Sequence, residues 1–148
     1  MKNIAEKLCK LETAIKVGKT EYNAFGKYSF RNIEAICESV KPFLKELNLS
    51  LTMDDKIIYI GDRYYVEATV KLTCCDTGES ISVKAQAREP LSKKGMDDSQ
   101  ITGTAASYAR KRAMAGLLLL DNTQDADALN NHEEETKTIT KNTEDDLL

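Results

Sequence analysis

The feature that most narrows the fold is an apolar period of two that runs through two consecutive segments. In YYVEATVKLTC, residues 64–74, Tyr64, Val66, Ala68, Val70, Leu72 and Cys74 share one face of an extended strand. Tyr65, Glu67, Thr69, Lys71 and Thr73 share the other. After a turn through Asp76-Thr77-Gly78, SISVKAQARE repeats the rule, with Ile81, Val83, Ala85 and Ala87 inward and Lys84, Gln86 and Arg88 outward. Upstream, Leu49, Leu51 and Met53 alternate with polar residues, Asp54-Asp55 reads as a turn or bulge, and IIYI leads into a turn at Gly61-Asp62. Alternation with one apolar and one polar face is the mark of an antiparallel sheet wetted on one side. A sheet of three to four strands is expected.

Both flanks are helical. Ile4, Leu8, Leu11 and Ile15 recur at steps of four, three and four, which predicts an amphipathic helix ending near Gly18. The segment KTEYNAFGKYSF shows no clear period and reads as a loop. Ser29 then stands where it can cap a helix that carries Ile33, Ile36, Cys37, Val40, Leu44 and Leu47 on one face. Pro42 falls inside that helix, and because the apolar spacing continues past it, a kink is expected rather than a stop.

The segment SQITGTAASYARKRAMAGLLLL combines burial with charge. It opens on a capping box, with Asp97 as N-cap and Gln100 three residues on. On a helical wheel Ala105, Ala109, Ala113 and Gly116 form a small-residue strip that allows close approach to the sheet. Gln100, Thr104, Ser107 and Lys111 form a polar strip, and Tyr108 and Arg112 lie on the edge between the two. The result is an α+β fold with a β-β-β-α core, an N-terminal helical segment and a long C-terminal helix on one face of the sheet.

Charge divides the chain unevenly. Residues 1–120 carry 19 Lys+Arg against 15 Asp+Glu, while residues 121–148 carry 2 against 9, so a mildly basic body ends in an acidic tail. The tail, DNTQDADALNNHEEETKTITKNTEDDLL, has few apolar residues and no period, and disorder is expected there. A single folded domain over 1–128 and a tail over 129–148 is the expected division. No apolar run reaches the length of a membrane span, and the N-terminus lacks the apolar stretch of a signal peptide, so a soluble, unexported protein is expected.

Composition also excludes chemistry. His132 is the only histidine and lies in the polar tail, which leaves catalysis by a histidine base without a home. Cys9, Cys37, Cys74 and Cys75 lack a CxxC spacing and read as reduced structural thiols, Cys74 and Cys75 pointing to opposite faces. Gly18-Lys19-Thr20 ends like a P-loop, but Thr13 stands where its first glycine belongs and a helix precedes it where a strand is needed. Asp121, Asp125 and Asp127 lack the glycine and terminal glutamate of an EF-hand loop. Asp97 and Asp98 could be read as catalytic carboxylates, but helix capping explains Asp97, and proximity in sequence alone gives no active-site geometry. No metal site and no cofactor is expected.

The cations form a more informative set. Lys84 and Arg88 project from one strand face, Lys93 and Lys94 sit in the next loop, and Arg110, Lys111 and Arg112 lie on the returning helix. Two readings stand: ordinary surface charge, or convergence on a groove that follows a phosphate backbone. Tyr108 divides the same way, between a core aromatic with its hydroxyl at the rim and a surface on which a base stacks.

Two of these segments, KYSFRNIEAICESVKPFLKELNL and LSKKGMDDSQITGTAASYARKRAMAGLLLLDNTQDADA, bracket the strands in the order found in the ERF, or essential recombination function, family. Between about Lys10 and Ala128 the chain resembles that family, whose signature joins a Gln-x-x-Gly opening, a Tyr-Ala-Arg helix and an aspartate-rich exit. It departs where the family commonly has Tyr-Ala-Arg-Arg-Tyr-Ala-Leu: here Lys111 replaces the second arginine, Arg112 the second tyrosine and Met114 the leucine. The resemblance implies an ATP-independent phage or prophage protein of the bacterial cytoplasm that binds single-stranded DNA and anneals complementary strands. It also implies a homo-oligomer, as a ring or filament. Arg110, Lys111 and Arg112 are then the leading candidates for phosphate contact, supported by Lys84, Arg88, Lys93 and Lys94, with Gln100 either positioning the strand or capping the helix. The acidic tail either competes with DNA, recruits a replication or single-strand binding protein, or aids solubility. A metal-dependent nuclease and a purely structural oligomerisation protein are the alternative classes; neither involves a membrane.

Overall fold

The computed structural model describes residues 3–120, so the aspartate-rich exit, the acidic tail and the expected boundary after residue 128 lie outside the described residues. The order of elements is α1 (Ile4–Ala14), β1 (Glu21–Asn23), β2 (Tyr28–Phe30), α2 (Ile33–Leu47), β3 (Leu49–Ile60), β4 (Arg63–Cys74), β5 (Ser80–Arg88) and α3 (Asp98–Leu118). They form two compact units, residues 18–31 in one and the remaining described residues in the other. The fold is α+β, with one three-stranded and one two-stranded antiparallel sheet.

The smaller unit corrects the loop expected over KTEYNAFGKYSF. It is a hairpin in which β1 pairs with β2 from Glu21 opposite Phe30 to Asn23 opposite Tyr28. Three-residue strands are too short to show a period, and the turn is set by a side chain: Asn23 Oδ1 accepts from the amides of Phe25 and Gly26 at 3.0 Å each. Lys27 closes the turn with φ of 55°. Ser29 is thereby taken into β2, opposite Tyr22, and does not cap α2. Asn32 does, accepting from the amide of Ala35 at 2.7 Å.

In the larger unit β4 is the central strand, flanked by β3 and β5. The hairpin from β3 to β4 runs without interruption from Leu49 opposite Cys74 to Ile60 opposite Arg63, around Gly61 with φ of 64°. Asp54 and Asp55 therefore do not make the expected turn or bulge. They face Thr69 and Ala68 inside the ladder, because each of the charged pair finds a partner or solvent on its own side of the sheet. The alternation holds: Val66, Ala68, Val70, Leu72 and Cys74 are fully buried, and Cys75 next to Cys74 is exposed. All four cysteines are free.

One face of this sheet is covered by helices. Towards one end a bulky cluster joins Leu11 and Ile15, Ile36 and Val40, Val70 and Leu72, and Met114, Leu117 and Leu118. Towards the other end the packing is built from small residues, Val66, Ala68 and Ala87 of the sheet against Ala105 and Ala109 of α3. A methyl added at Gly116 would meet Val83 Cγ1 at 3.5 Å, an ordinary contact, so α3 lies on β5 with no bulky side chain between them. α2 continues through Pro42 to Leu47, ending at Asn48 in the left-handed region, so the apolar spacing past the proline does mark one helix. α1 stops at Ala14, short of Gly18, where Ile15 turns to extended backbone while its side chain stays in the core. Among the described residues no helix is long and apolar enough to cross a membrane.

α1 is tied to the sheet by charge. Lys7, almost fully buried, donates to Asp76 Oδ2 at 2.6 Å, and Asn48 Nδ2 donates to Asp76 Oδ1 at 2.7 Å. The Lys7 ammonium and then the Asn48 amide hold the Asp76 carboxyl below its ordinary value, and Asp76 raises Lys7 above its own. A depressed carboxyl contributes stability that is present above its unfolded pKa and lost as pH falls through the folded one. A raised lysine contributes stability that is lost as pH rises through its folded value. Asp76→Asn should therefore lower stability at pH 7 and flatten the decline on acidification below about pH 4. Denaturant titrations at pH 7 and pH 3 check this: an acid decline as steep as in the parent would contradict it.

Candidate nucleic-acid interface

The capping box at the start of α3 forms as expected. Asp97 Oδ1 accepts from the Gln100 amide at 2.8 Å, and Gln100 Oε1 accepts from the Asp97 amide at 3.0 Å. Gln100 is thus engaged as a cap. The box fixes where the helix begins, and so where the loop from Glu89 to Met96 must return to it.

That return leaves a cleft of about 160 Å³ between the end of β5, the loop and the first turns of α3. Ala87, Pro90, Met96, Ile101, Ala105 and Tyr108 give it mostly apolar walls, and Arg88, Lys93 and Thr104 complete its lining. The cleft exists because the packing beside it is alanine: Ala87, Ala105 and Ala109 hold helix and strand together without filling the space next to them. Three of the residues singled out from sequence, Arg88, Lys93 and Tyr108, meet here. Lys94 is exposed on the same loop. Tyr108 is half-buried, and the Lys111 ammonium lies 5.1 Å from its ring centroid, within the range of a cation–π contact.

The three consecutive cations of α3 do not converge. Arg110 reaches across to β3, where Nε and Nη2 donate to both carboxylate oxygens of Asp55 at 2.6–3.1 Å. Asp55 raises the Arg110 pKa further above its ordinary value. Arg112 points the other way, and its Nη1 donates to the Gln86 carbonyl of β5 at 3.2 Å. The bonds from Glu89 N to Tyr64 O and from Cys74 N to Glu79 O put the odd-numbered residues of β5 in the ladder with β4. Gln86 therefore turns its carbonyl to the open edge, and Arg112 covers that edge. Lys111 lies between them, with only 9% of its surface exposed. Lys84 projects from the uncovered face of the sheet, with its ammonium 3.8 Å from Glu67.

Sequence reasoning did not identify Asp55 as a partner of α3, nor Pro90, Met96 and Ile101 as cleft walls. The signal for Asp55 was parity: it is in step with Leu49, Leu51 and Met53, so a straight strand puts it under the helix. The cleft walls carry no such signal, because they meet only through the path of the loop. Among the described residues no group of three or more His, Cys, Asp or Glu side chains is placed to hold a metal ion.

A three-stranded antiparallel sheet backed by one long helix, with a basic and aromatic-lined cleft at the helix start, defines a small α+β module without a histidine in its described part. The ERF superfamily model matches residues 4–147, and the chain belongs to that family. It is similar to the "Essential recombination function protein" of Salmonella phage P22, with 43% identity over 142 residues, covering 96% of this chain and 67% of that protein. No solved structure matches.

The bidentate Arg110 to Asp55 pair, partly screened by solvent, should support the fold by about 1–2 kcal/mol. Arg110→Ala and Asp55→Ala should each lower stability by roughly that amount, and the double variant by clearly less than their sum. Strict additivity in urea titrations would show that the pair contributes nothing of its own.

Proposed function

We propose that this protein acts in phage-type homologous recombination by binding single-stranded DNA and promoting the pairing of complementary strands without ATP. The observation that carries the reading is the meeting of Arg88, Lys93 and Tyr108 at one cleft, in a chain of the ERF superfamily. Annealing requires that phosphates be neutralised while base edges stay accessible, so cations should hold the sugar-phosphate side with little base-specific contact. Arg88, Lys93 and Lys94 supply such a cationic margin on strand and loop. Arg112 extends it along the edge of β5 and Gln100 sets the helix start, while Lys84 stands apart on the opposite, uncovered face of the sheet. Arg110 serves this interface indirectly, by fixing α3 over β3 through Asp55, and Lys111 does so by supporting the Tyr108 ring.

The salt dependence of binding tests the assignment. Each neutralised phosphate contributes about 0.7 to the slope of log affinity against log salt for a single strand. The double variant Arg88→Ala with Lys93→Ala should therefore bind oligothymidylate more weakly, with a slope smaller by roughly 1.4. A folded double variant with unchanged affinity and slope would remove the cleft from the binding surface.

One small protomer spans few nucleotides, and annealing over a useful length calls for an assembly of copies. Such an assembly is supported by the far end of the β3 to β4 hairpin, where Ile57, Tyr59, Ile60 and Tyr64 are all about half exposed or more. Ile57 and Tyr59 share the parity of Leu49, Leu51 and Met53 on β3, Tyr64 stands opposite Tyr59, and the Tyr59 and Tyr64 rings lie 4.7 Å apart. A contiguous apolar surface on an edge strand favours contact with another chain. Light scattering should give a multiple of the protomer mass for the parent protein and a smaller species for Tyr59→Ser with Ile57→Ser. A monomeric parent at micromolar concentration would end the assembly reading.

A further inference from the structure

We infer that the cleft between β5, the following loop and α3 takes one nucleobase out of the bound strand, so that each protomer holds a single base away from the pairing register. The inference rests on the single-strand reading above and goes beyond it by naming what enters the cleft.

Three observations lead there. The first is size: about 160 Å³ is below the roughly 300–1,000 Å³ of clefts that enclose drug-sized ligands, and so suits one planar ring system rather than a whole nucleotide. The second is the kind of wall. Tyr108 offers aromatic surface, and Pro90, Met96, Ile101 and Ala105 are apolar, a lining that accepts the π-face of any base and reads none of its edges. Met96 is a thioether that adapts to irregular shapes, and the Thr104 hydroxyl lies 3.9 Å from its sulfur. The third is charge. Arg88 and Lys93 belong to the same cleft, and Lys94 to the same loop, which matches an occupant that is apolar and flat at one end and anionic at the other. An uncharged aromatic metabolite has no use for the cationic margin, and a double helix keeps its bases stacked. A single strand supplies both ends at once, and turning out one of its bases costs little because that base has no pairing partner.

Tyr108 enters this arrangement already supported by the Lys111 ammonium. This gives Lys111, largely withdrawn from solvent, a positioning role at the site. The consequence for pairing is that a bound strand presents its remaining bases to a complement while the captured one is withheld until release.

The test compares two strands of equal length and equal phosphate number, oligothymidylate and the same backbone made wholly of abasic tetrahydrofuran residues, each titrated against the full-length protein at several salt concentrations. The abasic strand should bind about tenfold more weakly with the same salt slope. A 2-aminopurine placed within the thymidylate strand should change in fluorescence on binding. Thr104→Trp, at an exposed position on the cleft margin, should fill the cleft and make the two strands bind alike. Equal affinity of the parent protein for both strands, with salt-sensitive binding intact, would overturn the base-capture inference and leave single-strand binding standing. Absence of salt-sensitive binding to either strand would overturn both.

Discussion

The close approach of α3 to the sheet is the constraint on which the rest of this structure depends. It is made by Ala105, Ala109 and Ala113, all buried, against a sheet face that is itself small at one end, with Ala68 and Ala87 beside Val66. Large side chains at these positions would lift the helix from the sheet, and the bonds that flank it would then fail to reach. Arg110 meets Asp55 on one outer strand and Arg112 meets Gln86 on the other, so the helix is held from both sides of the central strand. The bulky leucines at its far end serve the larger core shared with α1 and α2.

The same economy of volume produces the candidate site. Where Leu117 and Leu118 pack, the interior is filled; where alanines pack, the loop after β5 crosses open space and leaves a cleft. The capping box fixes the first turn of α3, and the loop that ends at Asp97 brings Lys93 to the same opening as Arg88 and Tyr108. A basic margin around an apolar recess follows from where the helix starts and how close it lies. No separate binding element is required.

Much of the fold was legible in the sequence because its period is strong. The faces of β4 and β5 follow from the alternation of Val66 to Cys74 and of Ile81 to Ala87, and the N-cap Asp97 from its spacing to Gln100. The β1 to β2 hairpin was hidden because three-residue strands carry no period and its turn depends on one asparagine side chain. Asp54-Asp55 misled because two adjacent acids look like a break, whereas their parity with Met53 and Leu51 is what the strand obeys. The basic cluster was legible as a composition and not as a geometry. A helical wheel gives the direction in which Arg110, Lys111 and Arg112 leave the axis, but the identity of what stands opposite depends on tertiary packing, which put an aspartate before one and a backbone carbonyl before another. Arg88 and Lys93, which from sequence looked secondary, are the cations that the end of β5 and the following loop place at the cleft.

The link from this architecture to strand pairing is measured most directly by the rate at which two complementary oligonucleotides, carrying a donor and an acceptor fluorophore, form duplex in the presence of the protein and the absence of ATP. Duplex should form faster than for the DNA alone, with the acceleration reduced as salt is raised. A folded protein that leaves the rate unchanged, or that accelerates pairing only when ATP is supplied, would contradict it.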